Sequence, residues 1–279
     1  MGRFKRKIIQ VCSALLYNAY LKGFITGRIY RGDLKFICSP GLNCYSCPAA
    51  VTACPLGALQ NALGNLNYNI GWYILGVIAL YGVIFGRVIC GWLCPFGLIQ
   101  DLLYKIKFFF KIKKSKFTRR LSYLKYFILI YLAVIFPLYY AAPGFCKYIC
   151  PVGTLSAVTL LANPANRNLF SMLGFLFANK FIILIALSFA CIICYRTFCR
   201  FICPLGAIYG LFNKINILGV KLDNNKCVNC NACIKTCKLD IKHVGDRECI
   251  HCGECIKSCG YDAICFRNLK FNLKFKQNI

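Results

Sequence analysis

The chain has 279 residues, 59% hydrophobic and 15% charged, with a mean hydropathy of +0.59; such a composition is that of a membrane protein rather than a soluble domain. Its 35 Lys and Arg against 8 Asp and Glu give a formal charge of +27, and because the basic residues lie between apolar runs they read as topology signals, not as a nucleic-acid surface. Only Asp33 and Asp101 are acidic before residue 222, and the only histidines are His243 and His251, which excludes intramembrane haem held by two histidines and argues against a carboxylate proton relay through the bilayer.

Residues 1–7 carry Arg3, Lys5, Arg6 and Lys7 and lead into an apolar run over 8–26. A signal peptide begins this way, but the run lacks a small-residue cleavage site and contains Asn18 and Lys22, so it reads as a first, weak membrane helix. Residues 71–89, 121–142 and 181–198 each have about the length that a hydrocarbon core of roughly 30 Å requires, and 169–179 reads as an interfacial stretch. The expected fold is an α-helical membrane protein of about four crossings. With the N-terminus inside, the inner segments hold the four basic residues above and nine more from Lys105 to Lys125, Lys113 included. The outer loops hold Arg28, Arg31, Lys35, Lys147 and Arg167. Thirteen against five puts both termini of this multi-pass cell-membrane protein in the cytoplasm. The basic run reads as a solvated topogenic loop that also suits anionic lipid, and Trp72 and Trp92 as interface anchors.

Cysteine is the strongest signal, with 22 residues. The motif Cys-Pro-x-Gly-x-[Leu/Ile] starts at Cys54, Cys94, Cys150 and Cys203, and three copies have a second cysteine four positions earlier, at Cys90, Cys146 and Cys199. The first copy has Cys44 and Cys47 upstream instead. Helix and motif alternate twice, so the membrane domain (1–219) reads as a duplicated two-helix unit, with repeats over about 8–104 and 121–212. Proline suits the first turn of a helix, which leaves each cysteine at a helix N-terminus where free N–H groups favour negative charge. An anionic [4Fe–4S] cluster needs that help near lipid. Topology places two motifs on each face, giving an inner cluster at Cys90, Cys94, Cys199 and Cys203 and an outer one at Cys47, Cys54, Cys146 and Cys150, with Cys44 as the alternative. Cys12 reads as an isolated thiol, and Cys38, Cys191 and Cys194 leave a third membrane cluster open.

Residues 220–266 form a cytoplasmic domain followed by a basic tail, 267–279. Cys227, Cys230, Cys233 and Cys237, then Cys249, Cys252, Cys255 and Cys259, repeat the C-x2-C-x2-C-x3-C run of bacterial two-cluster ferredoxins, in which the fourth cysteine serves the other cluster. Cys227, Cys230, Cys233 and Cys259 therefore hold one [4Fe–4S] cluster, and Cys249, Cys252, Cys255 and Cys237 its partner. Lys238 and Gly260 stand where proline is common. Zinc is the competing reading of paired Cys-x2-Cys, and two complete four-cysteine runs disfavour it. His243 and His251 read as solvated loop residues and Cys265 as packing.

Gly86-Arg-Val-Ile-Cys90-Gly-Trp-Leu-Cys94-Pro-Phe-Gly, Cys199-Arg-Phe-Ile-Cys203-Pro-Leu-Gly and the double ferredoxin run together resemble the NapH/NosR/CcoG family of membrane-bound polyferredoxins. The resemblance implies membrane helices carrying Cys-x3-Cys-Pro motifs and electron transfer among quinol, ferredoxin or flavin and periplasmic partners. Four [4Fe–4S] clusters are expected, with iron held through the cysteines named. No acid–base or nucleophile constellation is visible, so the chain reads as an electron-transfer component with no catalytic residue. The leading expectation is a conduit from a cytoplasmic donor (ferredoxin, flavodoxin or a reductase) to an extracytoplasmic redox protein. The alternatives are a quinol dehydrogenase working on the quinone pool, a redox sensor or maturation factor, and a thiol–disulfide relay.

Overall fold

The computed structural model describes residues 3–65, 71–112, 114–164, 166, 168 and 173–267. Lys113, Arg167, the start of the expected interfacial stretch and residues 268–279 of the basic tail lie outside the described residues. Helix α1 (Arg3–Tyr17) is followed by an irregular segment that leads to α2 (Pro55–Gly64) and α3 (Gly71–Phe85), and then to the short α4 (Val88–Trp92) and α5 (Pro95–Leu103). Helix α6 (Lys116–Tyr140) carries a π-helical stretch over Leu129–Ile135. It ends just before Pro137, whose ring and missing N–H forbid a regular turn there. Then come α7 (Gly144–Tyr148), α8 (Pro151–Leu161), α9 (Phe175–Ile193), α10 (Thr197–Phe201) and α11 (Pro204–Phe212). The last domain holds β1 (Gly219–Leu222), α12 (Ala232–Thr236), α13 (Glu254–Lys257) and β2 (Ile264–Arg267).

Among the described residues, two helices are long and apolar enough to cross a membrane, α6 and α9. Two of the four expected crossings are shorter. Helix α1 stops at Tyr17; it buries Arg6, Gln10 and Ser13 and turns Ile8, Val11, Leu15 and Leu16 outward, so its apolar face looks away from the protein, as a lipid-facing surface does. Helix α3 has 15 residues, about 22 Å at 1.5 Å per residue. The last span begins at Phe175 and ends at Ile193, which makes Phe175–Asn179 its first turns rather than an interfacial stretch.

The duplicated unit takes a definite shape. Helix α2 packs against α3, and α8 packs against α9, so each repeat is a hairpin of a short motif helix and a longer returning helix. Buried side chains gather where the motif helices begin: Leu56, Ile89, Phe145, Phe198, Leu205 and Tyr209. Large apolar groups on α6 and α9, such as Phe127, Ile130, Ile182 and Ile185, point outward, as lipid-facing surfaces do.

The ferredoxin domain is closed by the antiparallel ribbon β1–β2, with Gly219 opposite Arg267 and Leu222 opposite Ile264. It sits firmly on the helical part. Trp92 Nε1 donates to the His251 carbonyl at 2.9 Å, so this tryptophan is a domain contact rather than an interface anchor, whereas Trp72 is exposed. A Cβ on Gly91 would strike the Ile250 carbonyl. Asn213 Nδ2 donates to the carbonyls of Asp246 and Cys249 at 2.9 and 2.7 Å.

The charges expected in a solvated loop are partly internal. Arg119 Nη2 meets Asp246 at 3.1 Å, Thr118 Oγ1 donates to Asp240 at 2.6 Å, and the fully buried Lys125 pairs with Glu248. Arg87 reaches the other oxygen of Glu248 at 2.8 Å. His251 is also buried rather than solvated, its Nδ1 accepting Val220 N–H at 2.9 Å, while His243 is exposed. Cys265 is exposed on β2 and does not pack inward. Glu248→Ala would leave two buried cations without their shared partner. The expected cost is about 3–5 kcal/mol, read as a lower melting temperature and as protease attack on a released ferredoxin domain.

Candidate metal centres

Each motif cysteine is the N-cap of its helix. Cys54, Cys94, Cys150 and Cys203 are all extended, with ψ of 124°, 120°, 111° and 113°, and each is followed by proline at the first helical position. A residue before proline is pushed to this conformation. The thiol is thereby turned over the first helical turn, whose N–H groups have no partner inside the helix. At the fourth motif the glycine supplies one: Gly206 N–H donates to Cys203 Sγ at 3.3 Å.

The thiols assemble in fours. Cys203 lies in electrostatic reach of Cys199, Cys90 and Cys94, and Cys199 of Cys94 and Cys90. In the second group Cys146 is reached by Cys150, Cys54 and Cys44. The fourth member there is Cys44, which also reaches Cys150, in place of the expected Cys47. The reason is local. Cys47 follows Cys44 in a turn closed by Cys47 N–H to Cys44 C=O at 3.1 Å, and Lys35 interacts more strongly with Cys47 than with Cys44. In the ferredoxin domain Cys255 is reached by Cys249, Cys252 and Cys237. Cys227, Cys230 and Cys233 lie before and on α12, and Cys259 lies beyond α13, all half-buried or exposed.

The two helical groups are neighbours rather than occupants of opposite faces. The fully buried Tyr209 lies in reach of both Cys90 and Cys54, and the rings of Phe145 and Phe198, each next to a group cysteine, are 6.4 Å apart.

These sites fit iron–sulfur clusters on their own chemistry. Cys237, Cys249, Cys252 and Cys255 line one cavity with Leu239, Ile241 and Ile250. Burial first, and then the neighbouring thiols, push Cys255 up to about 12, while burial pushes Cys237 to about 12 and Cys249 to about 11. Thiolates so placed need the positive charge of bound iron. Glycine permits close approach at two motifs: a Cβ on Gly97 would come within 2.8 Å of the Cys90 carbonyl oxygen and one on Gly206 within 3.2 Å of the Cys199 carbonyl oxygen. Among the described residues no three His, Cys, Asp or Glu side chains close on a single ion.

Two buried arginines separate the Cys90 group from the ferredoxin cavity. Arg87 donates to the carbonyl of Cys199 at 3.1 Å and acts on Cys249. Arg196, held at the left-handed φ of 54°, donates to the carbonyl of Cys90 and acts on Cys94 and Cys252. Each has its own carboxylate, Glu248 for Arg87 and Asp101 for Arg196 at 2.7 and 3.0 Å. Burial would raise the Asp101 carboxyl, but Arg196, with Lys7 and Arg6, holds it well below the usual range. Sequence reading missed both arginines, although each stands three residues before the first cysteine of its motif.

The comparisons with known proteins agree. A family model described as a 4Fe-4S binding domain matches residues 68–116, 125–161 and 179–224. An uncharacterized protein of Methanocaldococcus jannaschii is 34% identical over 163 residues, 56% of this chain and 53% of the relative. The ferredoxin-type protein NapH of Haemophilus influenzae is 26% identical over 164 residues, 58% and 50% of the two chains. The methylamine utilization ferredoxin-type protein MauN of Methylorubrum extorquens is 24% identical over 163 residues, again 58% and 50%. The chain spans about half the length of these relatives. No solved structure matches it. With its grouped thiols, the chain carries a 4Fe-4S binding domain and is similar to ferredoxin-type proteins. Over the matched part of its length it resembles the ferredoxin-type proteins NapH and MauN.

Asp101→Asn is expected to leave Arg196 buried without its counter-charge, at a cost of about 3–5 kcal/mol. Asp33→Asn, at an exposed position, should leave the thermal unfolding of the purified protein unchanged.

Proposed function

We propose that the chain is a membrane-embedded electron conduit with four [4Fe–4S] clusters. Their ligands are Cys227, Cys230, Cys233 and Cys259; Cys237, Cys249, Cys252 and Cys255; Cys90, Cys94, Cys199 and Cys203; and Cys44, Cys54, Cys146 and Cys150. When bound, such clusters supply one-electron transfer over a wide range of potentials. The observation that carries the reading is continuity: Arg87 and Arg196 stand between the ferredoxin cavity and the Cys90 group, and Tyr209 stands between that group and the Cys54 group. The polypeptide excludes water from this line and fixes the order of the sites. The ferredoxin domain faces the cytoplasm with both termini, where ferredoxin, flavodoxin or a reductase donates.

The end of the line farthest from the ferredoxin domain favours a second reading beside an extracytoplasmic redox protein. The Cys54 group sits partway along the bundle, at the start of two short helices, and a lipid-soluble quinone diffusing in the bilayer reaches that depth. The chain would then exchange electrons with the quinone pool.

Iron and acid-labile sulfide on anaerobically purified protein test the reading. About sixteen iron atoms per chain are expected, falling by about four in Cys90→Ser and in Cys44→Ser and unchanged in Cys47→Ser. About eight, unmoved by any of these substitutions, would leave only the ferredoxin domain loaded and end the conduit. Reoxidation of the reduced protein by a quinone analogue in liposomes, set against a water-soluble acceptor enclosed in them, separates the two readings of the acceptor.

A further inference from the structure

Gln60 and Gln100 occupy the same place in two copies of the motif, six residues after Cys54 and Cys94. Both are fully buried, which an amide tolerates only when its donors and acceptor are matched. They are matched in the same way. Gln60 Oε1 accepts Phe145 N–H at 3.0 Å, while Nε2 donates to the Leu56 carbonyl and to Cys146 Sγ, both at 3.3 Å. Gln100 Oε1 accepts Cys199 N–H at 3.4 Å, while Nε2 donates to the Phe96 carbonyl at 3.4 Å and to Cys199 Sγ at 2.9 Å. A backbone N–H can only donate, so the atom facing it is the amide oxygen and the atom facing sulfur is the nitrogen. The Cys191 thiol brings a second donor to Gln100 Oε1 at 3.7 Å.

The other two copies place Ser156 and Tyr209 at this position. Neither aims at sulfur: Ser156 Oγ donates to the Val152 carbonyl and Tyr209 OH to the Pro40 carbonyl, both at 2.9 Å. Each four-thiol group therefore has one glutamine, supplied by one repeat and directed at a cysteine of the other.

We propose that Gln60 and Gln100 are positioning residues that each donate a hydrogen bond to one cluster thiolate and raise the reduction potential of that cluster. The inference rests on the reading that the motif cysteines hold [4Fe–4S] clusters. Reduction adds negative charge, a donor to sulfur stabilises the more negative state, and hydrogen bonds to the sulfurs are among the factors that set cluster potentials.

The test uses the full chain, anaerobically purified, with Gln100→Met and Gln60→Met beside the wild type. Methionine keeps the length and unbranched shape and removes the donor. Iron content and EPR-monitored redox titrations are measured together. The expected result is unchanged iron and, in each variant, one membrane-domain signal moved to lower potential. The shift should be at least tenfold in the one-electron equilibrium constant, about 59 mV. The signal differs between the two variants, and the ferredoxin signals stay in place. Full iron with unmoved potentials would overturn the proposal. If a variant loses iron, wild-type protein labelled with 15N in its glutamine amides decides: a 15N coupling to the reduced membrane clusters in pulsed EPR supports the proposal, and its absence sinks it. A wild-type iron content of about eight would instead remove the cluster reading itself.

Discussion

Burying thiolates is the constraint on which the rest of this structure depends. Charge in an apolar interior is expensive unless it is matched by opposite charge or by oriented dipoles, and this chain collects its motif cysteines in two groups inside a bundle with few carboxylates. The compensation is built from backbone first. Four helices start at these cysteines, with proline next and glycine three residues on. Proline thus sets the helix start and turns the thiol over the free N–H groups, while Gly97 and Gly206 let the motif helices approach the carbonyls of Cys90 and Cys199. Side chains complete the work where the backbone cannot reach, through Gln60, Gln100, Arg87 and Arg196.

The arginines create a second problem, since they too are buried. Their solution ties the two halves of the molecule together. Arg87 is neutralised by Glu248 from the ferredoxin domain, whereas Arg196 is neutralised by Asp101, which also gathers Arg6 and Lys7 from α1. One carboxylate docks a domain and the other anchors the N-terminal helix. Acidic residues are scarce in this chain, and at least four of its eight, Asp101, Asp240, Asp246 and Glu248, are held in buried or half-buried pairs with cations. A large positive formal charge therefore coexists with an interior in which buried cations share the few carboxylates, two on Glu248 and three on Asp101.

Much of this could be read from the sequence, and the failures have physical causes. The cysteine spacings and the four helix starts follow from local chemistry, which does not depend on what packs against it, whereas the pairing of the motifs is read from topology. Depth does not follow. Charge counting placed the Cys54 and Cys94 groups on opposite faces because it treated every apolar run as a full crossing. Residues 8–26 instead break after Tyr17, and α3 is too short. Lys125 and His251 were read as solvated because a lone polar residue says nothing about the carboxylate or backbone N–H that will meet it. Cys47 was preferred to Cys44 on spacing alone, and a turn with Lys35 beside it decided otherwise.

The hairpin of a short motif helix and a longer returning helix explains how two groups of thiols come to lie at different levels of one bundle. A full-length helix on both arms would return the chain to the level at which it started, and the four motifs would collapse into one layer. Helices of equal direction without a return would carry them to opposite ends. With α2 and α8 at 10 and 11 residues against α3 and α9 at 15 and 19, each repeat advances by the difference, and both repeats advance the same way. The second pair of motifs then lands one layer nearer the ferredoxin domain, with Tyr209 filling the gap between layers. The offset in helix length is thus the element of the duplicated unit that turns two copies of a cysteine motif into a line of sites.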